Sequence, residues 1–291
     1  MDALIPILLT IVTAATPLVL AGIGELLVER AGVLNLGVEG MMIMGAVAGF
    51  GAAFVTGSPY LGILASIAAG MAMALLFGFL TLTLATNQTA TGLAITLLGL
   101  GLSGLIGKPF TGQPITRLPN WDGIDILVVF SFLLAGAVSW FLFRSRAGLI
   151  VRAVGDNHTS AHTLGYPVIR VRYLAVLFGG ACAGLAGGYL SLSYTPQWIE
   201  GMTAGKGWIA LALVVFASWR PWRLLAGAYL FGAISILAFT VQTFALGIPS
   251  QLLSALPYIV TIVALVIISR NRLMLRANTP ACLGRPFVPD R

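Results

Sequence analysis

Long apolar runs separated by short polar connections recur along the chain, and they limit its fold more than any other feature. They fall near residues 3–24, 41–57, 61–85, 93–107, 126–143, 173–194, 209–219, 224–246 and 252–269. A helix rises about 1.5 Å per residue, so roughly 20 apolar residues cross the ~30 Å hydrocarbon core of a bilayer. Only 9% of the 291 residues are charged and 58% are hydrophobic, whereas about a quarter of a soluble domain is charged. This polar deficit excludes a cytosolic enzyme, a nucleic-acid binder and a disulfide-stapled secreted domain. The first run has Asp2 as its only early charge and a second apolar run close behind, so a retained helix is expected rather than a cleaved leader.

The excess of 16 Lys and Arg over 9 Asp and Glu is informative by position, because basic residues in short loops face the cytoplasm. Arg144, Arg146, Arg152, Arg170 and Arg172 lie in 144–172. Arg220 and Arg223 lie in the turn 220–223, and Arg270, Arg272, Arg276, Arg285 and Arg291 lie in the tail. The opposite loops, 108–125 and 195–208, carry Lys108, Arg117 and Lys206 against Asp122, Asp125 and Glu200. Every connection from residue 86 onward alternates under this assignment and leaves the C-terminus cytoplasmic. Trp219 and Trp222 beside the turn arginines, and Trp208 on the other side, are expected as interfacial anchors. Rows of glycine such as Gly179, Gly180, Gly184, Gly187 and Gly188 permit close helix approach in lipid. The expectation is an all-α integral membrane protein, a polytopic bundle of eight to ten transmembrane helices. Residues 1–270 form one transmembrane domain with a cytoplasmic loop at 144–172, and 271–291 form a cytoplasmic tail.

The stretch Glu25 to Gly40 (ELLVERAGVLNLGVEG) carries four charges between apolar runs. It is either a cytoplasmic elbow or a broken segment lining a path, since irregular backbone at membrane depth needs cover from protein or water. A weak repeat links Tyr60-Leu61, Leu80-Thr81-Leu82-Thr83 and Thr89-Ala90-Thr91-Gly92 to Tyr173-Leu174, Leu190-Ser191-Leu192-Ser193 and Thr203-Ala204-Gly205. Loop charge gives the two copies opposite directions, the inverted arrangement of many transporters.

No catalytic constellation is visible. His158 and His162 share a helix face but have no third ligand nearby. Gly201 to Gly207 misses the phosphate-loop pattern, with Glu200 where its first glycine belongs and no Ser or Thr after Lys206. Cys182 and Cys282 are too far apart for a redox motif, and Cys182 reads as a small packing residue. The long loop from Arg152 to Pro167 is more informative. Asp156 or Asn157 caps a short helix there and Gly165 ends it, with Pro167 just beyond.

Gly155, Asp156, Asn157, Ser160, Ala161 and Gly165 resemble the coupling segment of ABC-importer permeases, Gly-x-Asn-x-x-Ala-Ala-x-x-x-Gly, with Ser160 in place of the first alanine and Thr159 where a related loop has glutamate. Glu29 to Gly40 (ERAGVLNLGVEG) resembles the signature of the branched-chain amino acid and simple-sugar permease family, most closely its nucleoside-type branch. Trp208 to Ala212 and Pro280 to Pro286 are similar to that branch too. The resemblance implies a multi-pass subunit in a bacterial cell (inner) membrane, surrounded by lipid, without an ATP site or cofactor of its own. It would be paired with a second, related permease, two ATPase subunits that hold ATP and Mg, and an extracytoplasmic binding protein. Residues 156–165, with Arg152 beside them, would act as the lever. Buried polar groups in a membrane are often functional, so Glu25, Asn35, Glu39, Asn87, Gln88 and Thr91 are the candidates for the path of a nucleoside or similar small polar solute. The alternative is a self-sufficient secondary transporter or channel, which needs an intramembrane ion site. Apart from the charges in 25–40, the runs supply none.

Overall fold

The computed structural model describes residues 4–121, 124–243 and 278–288, with scattered helical positions between 252 and 266. Most of the expected crossing at 252–269, and Arg270, Arg272, Arg276 and Arg291, lie outside them. In chain order the helices are α1 (Leu4–Arg30), α2 (Val38–Thr56), α3 (Pro59–Gly78), α4 (Gln88–Gly107), α5 (Ile126–Arg144), α6 (Arg146–Asp156), α7 (His158–Thr163), α8 (Val168–Tyr189), α9 (Lys206–Phe216) and α10 (Pro221–Thr243). The only paired strands among the described residues form a small antiparallel hairpin, β1 (Asn120–Trp121) and β2 (Ile124–Asp125), before α5. Seven of these helices, α1 to α5, α8 and α10, are long and apolar enough to span a bilayer.

Helix α8 runs through the centre, and glycine decides how close its neighbours come. A Cβ on Gly179 would strike Val28 of α1, one on Gly180 would strike Ala74, and one on Gly184 would strike the Ser66 carbonyl. One on Gly187 would meet the backbone of Met42 in α2. Without a hydrophobic force between helices in lipid, this backbone-level contact is the main source of cohesion. Cys182 belongs to the same seam, buried against Gly24. Helices α3 and α8 pack directly against each other. Ser66 meets Gly188, Gly70 meets Gly180 and Gly78 meets Tyr173, so the two helices run in opposite directions. Each also ends in a π-helical turn, Phe79–Thr83 and Leu190–Tyr194, over the matching Leu-Thr-Leu-Thr and Leu-Ser-Leu-Ser.

The end of α1, the start of α8, the end of α9 and the tail meet on one side, where Arg30 donates to Trp219 O and Asn278 O, and Arg172 donates to Ala31 O and Arg285 O. The arginine-rich connections gather there, which makes it the cytoplasmic end. Three sequence expectations change. The apolar run 209–219 is not a full crossing: α9 has 11 residues, about 16 Å of rise, and its cytoplasmic end at Trp219 leaves its start near mid-membrane. The connection before α9 therefore dips inward, and Trp208 at its start is not an outer-surface anchor. Trp219 is not an anchor either. It is 3% exposed, and its indole Nε1 donates to Glu29 Oε2 at 2.6 Å. Trp222, 57% exposed, keeps its surface position.

Gly184→Ala is expected to lower the melting temperature in detergent, because overpacking of a close seam costs about 1–3 kcal/mol. Gly101→Ala in α4, where an added methyl meets nothing, should leave the stability unchanged or raise it by up to about 1 kcal/mol, with the melting temperature held or raised accordingly. Thermal denaturation followed by size exclusion compares the two.

Candidate functional site

The polar stretch after α1 is a built structure. Helix α1 continues through Glu25 and Glu29 to Arg30, and Gly32 then turns the chain with φ +82°. A side chain at Gly32 would be strained, and its Cβ would sit 3.1 Å from the Gly155 Cα. Residues 33–37 return as irregular backbone whose polar groups find partners inside the protein. Glu25, 1% exposed, accepts from the Asn35 backbone N at 3.2 Å and from Asn35 Nδ2 at 3.4 Å. Asn35 Oδ1 accepts from Gly37 N at 3.0 Å. Leu34 N donates to Gln88 Oε1 at 2.8 Å, and Thr96 Oγ1 donates to Leu36 O at 2.9 Å. This is the cover that broken backbone at membrane depth requires.

Helix α2 starts where this segment ends, and α9 starts against it. Glu39, in the first turn of α2, accepts from Thr203 Oγ1 at 2.5 Å and Gly205 N at 2.9 Å through Oε1, and from Gly207 N at 2.6 Å through Oε2. One carboxyl group thus serves the positive ends of two helices. The small residues are required here, since a Cβ on Gly207 would lie 2.6 Å from the Glu39 backbone.

On the cytoplasmic face the expected short helix is α7, and a second helix, α6, precedes it. The amphipathic helix α6 packs through Gly148 against the α5 backbone and through Gly155 against Arg30 O. Between the two expected caps, Asn157 takes the role: its Oδ1 accepts from Ser160 N at 2.9 Å, while Asp156 ends α6. Gly165, at φ +86°, closes the far end, with Gly165 N donating to His162 O and Tyr166 N to Ala161 O. Ala161 is buried with Val154 and Val168, whereas Ser160 and the apolar tip Leu164 (75%) are exposed. Arg152 lies over the Phe143 ring.

Arg172, expected among the charges of the cytoplasmic loop, is 1% exposed. Besides its two carbonyl acceptors it donates to His158 Nδ1 at 3.1 Å. A guanidinium has no acceptor, so the bond needs a neutral imidazole. Burial, followed by Arg172 and Arg285, holds His158 below the ordinary imidazole value. Both histidine rings contact Phe287.

Of the residues singled out for a solute path, Glu25, Asn35 and Gln88 converge on the segment after α1. Glu39 sits at the α2–α9 junction. Asn87 caps α4 by accepting from Ala90 N at 3.0 Å, and Thr91 bonds Thr86. Gln88 Nε2 is buried without a partner. An apolar groove of about 450 Å³ opens between α1, α5, α6 and α8 beside Phe141, Ile150 and Phe178, and it has nothing to offer a polar solute. Sequence reasoning missed Glu29, Trp219, Thr203 and the tail contacts. The one visible signal was Glu29, one helical turn beyond Glu25 on the same face.

Together, a lipid-spanning bundle with interrupted helices and a capped cytoplasmic helix define a polytopic transport subunit. The model of the family described as the branched-chain amino acid transport system / permease component matches residues 7–265, and the chain belongs to that family. Membership of this ABC-transporter permease family sets aside the self-sufficient secondary transporter or channel, and such a subunit is not itself the ATPase of its transporter. A Haloferax volcanii protein provisionally named as glucose ABC transporter permease TsgC13 is 44% identical over 87% of this chain and 88% of its own. The guanosine ABC transporter permease protein NupQ of Bacillus subtilis is 33% identical over 95% and 94%. An inward-facing structure of a transporter provisionally assigned to the metal-chelate ABC type aligns with a TM-score of 0.55 at 18% identity. It covers 91% of this chain and 85% of that one, a likeness of fold.

Glu39→Gln turns an acceptor into a donor facing donors, and is expected to cost about 2–3 kcal/mol, read as a lower melting temperature. His158 gives a pH test. Its folded value is depressed, so its contribution is complete above the ordinary imidazole value of about 6.5 and is lost as pH falls through the folded value. Wild type should therefore lose melting temperature between pH 8 and pH 5 more steeply than His158→Gln.

Proposed function

We propose that this permease carries a neutral, hydroxyl-bearing ring solute of the nucleoside or sugar type, and that α7 is the handle through which separate ATPase subunits drive it. Two named relatives, one for glucose and one for guanosine, support the solute class, because glucose and the ribose of guanosine are both neutral rings that carry hydroxyls. A neutral solute also suits a polar lining of amides and hydroxyls. In this reading Asn87, Gln88 and Thr91 face the path near its cytoplasmic end, with the unused Gln88 Nε2 as a donor. Glu25, Asn35 and Glu39 hold the interrupted backbone around it.

The reading of the handle is carried by one observation: α7 is capped at both ends, seated on Ala161, and leaves Leu164 uncovered at its tip. A six-residue helix is unstable alone, so this one is held in shape by its caps and its seat. Arg152, Gly155, Asp156, Asn157, Ser160, Ala161 and Gly165 make up the coupling region. The assembly comprises this chain, a second related permease, two ATPase subunits holding ATP and Mg, and an extracytoplasmic binding protein. ATP-driven movement of α7 shifts α5 and α8, favouring one of two bundle states by the difference in ATPase affinity for them.

Leu164→Asp should leave membrane insertion and melting temperature unchanged while reducing co-purified ATPase at least tenfold. Gly165→Val, which forces a β-branched residue to φ +86°, should weaken the seat of α7 by about 1–2 kcal/mol and also reduce capture. Unchanged ATPase capture in both variants would remove α7 from the interface.

A further inference from the structure

The tail makes contacts that packing of a loose terminus does not require. Cys282 N donates to Gly155 O at 2.9 Å, and Gly284 N donates to Gly32 O at 3.2 Å. Cys282 Sγ lies 3.4 Å from Asp156 O. Arg285 O accepts from Arg172 Nη1 at 3.1 Å, while the same guanidinium holds Ala31 O and His158. The Phe287 ring lies 5.1 Å from the His158 ring and 5.3 Å from the His162 ring. Three segments distant in sequence are thus tied at backbone level: the turn after α1, the α6–α7 junction, and residues 282–287.

We infer that tail residues 282–287 form a strap that delivers movement of α7 to the interrupted segment 31–37, with Cys282, Gly284, Phe287 and Arg172 as positioning residues. The inference rests on the proposal that α7 takes up the ATPase stroke. The physical reason is stiffness. The Cys282 and Gly284 amides bond α6 and the Gly32 turn two residues apart in the chain, so α7 has little freedom to move without the turn. Helix α7 touches the rest of the bundle through Ala161 and its flanks, whereas the strap leads straight to Gly32 and from there to the backbone that Glu25 and Gln88 hold. Arg172 adds a second tie, because one side chain bonds the turn after α1, α7 and the tail together.

The test uses the whole transporter in inside-out membrane vesicles, with a Leu34→Cys reporter and a membrane-impermeant maleimide. Labelling of the parent without the reporter is subtracted. In wild type, trapping with ATP and vanadate should change labelling at position 34 severalfold. In Phe287→Ala and Cys282→Pro, bound ATPase and its hydrolysis rate should stay within twofold of wild type while that response falls at least fivefold. Phe287→Tyr, which keeps the ring, should restore it. A full response in both variants, or no response in wild type, overturns the strap. A variant that loses bound ATPase and response together also overturns it, by showing the tail to be part of the docking seat. Absence of ATPase from the wild-type complex would instead defeat the importer reading, so the two failures are distinguishable.

Discussion

Backbone amides and carbonyls have no water to bond inside a bilayer, and this chain breaks two helices there. The rest of the structure depends on how those breaks are closed. Glu39 ties the start of α2 to the start of α9, and Glu25 with Asn35 holds the return segment between α1 and α2. Without such ties the broken backbone would leave several buried groups unpaired, each at a cost of about 1–3 kcal/mol. The breaks also bring backbone amides and carbonyls to membrane depth, beside buried side chains such as Glu25 and Thr96 that the continuous helices carry.

Around these breaks the bundle is held by contact distance. The glycines of α8 bring it against α1, α2 and α3 at backbone range, and α8 is also the helix whose first turns carry Arg172. The most tightly packed element is therefore continuous with the cytoplasmic cluster that seats α6 and α7.

Much of this was legible from residue order. The boundaries of the long spans, the direction of α3 relative to α8, the clustering of arginines at one end and the capped helix at Asn157 all follow from local hydropathy, charge and capping. These are properties of neighbours in sequence. The path candidates were chosen as polar residues among apolar ones, which finds Glu25, Asn35 and Glu39 but does not pair Glu25 with Asn35, and does not find Thr203, which donates to Glu39. Trp219 shows the limit clearly. Beside Arg220 and Trp222 it has the pattern of an interfacial belt, and only the approach of Glu29 from 190 residues away makes it a buried donor.

Composition and periodicity, taken alone, determined that this chain lives in lipid, where most of its long helices run and which face carries positive charge, because solvent transfer is set residue by residue. Which helices stop halfway, which carboxyl closes each stop and which arginines are buried were decided only by the tertiary structure. Those outcomes depend on hydrogen bonds between segments that local pattern cannot bring together, and at membrane depth an unmade bond of that kind costs more than any local preference gains.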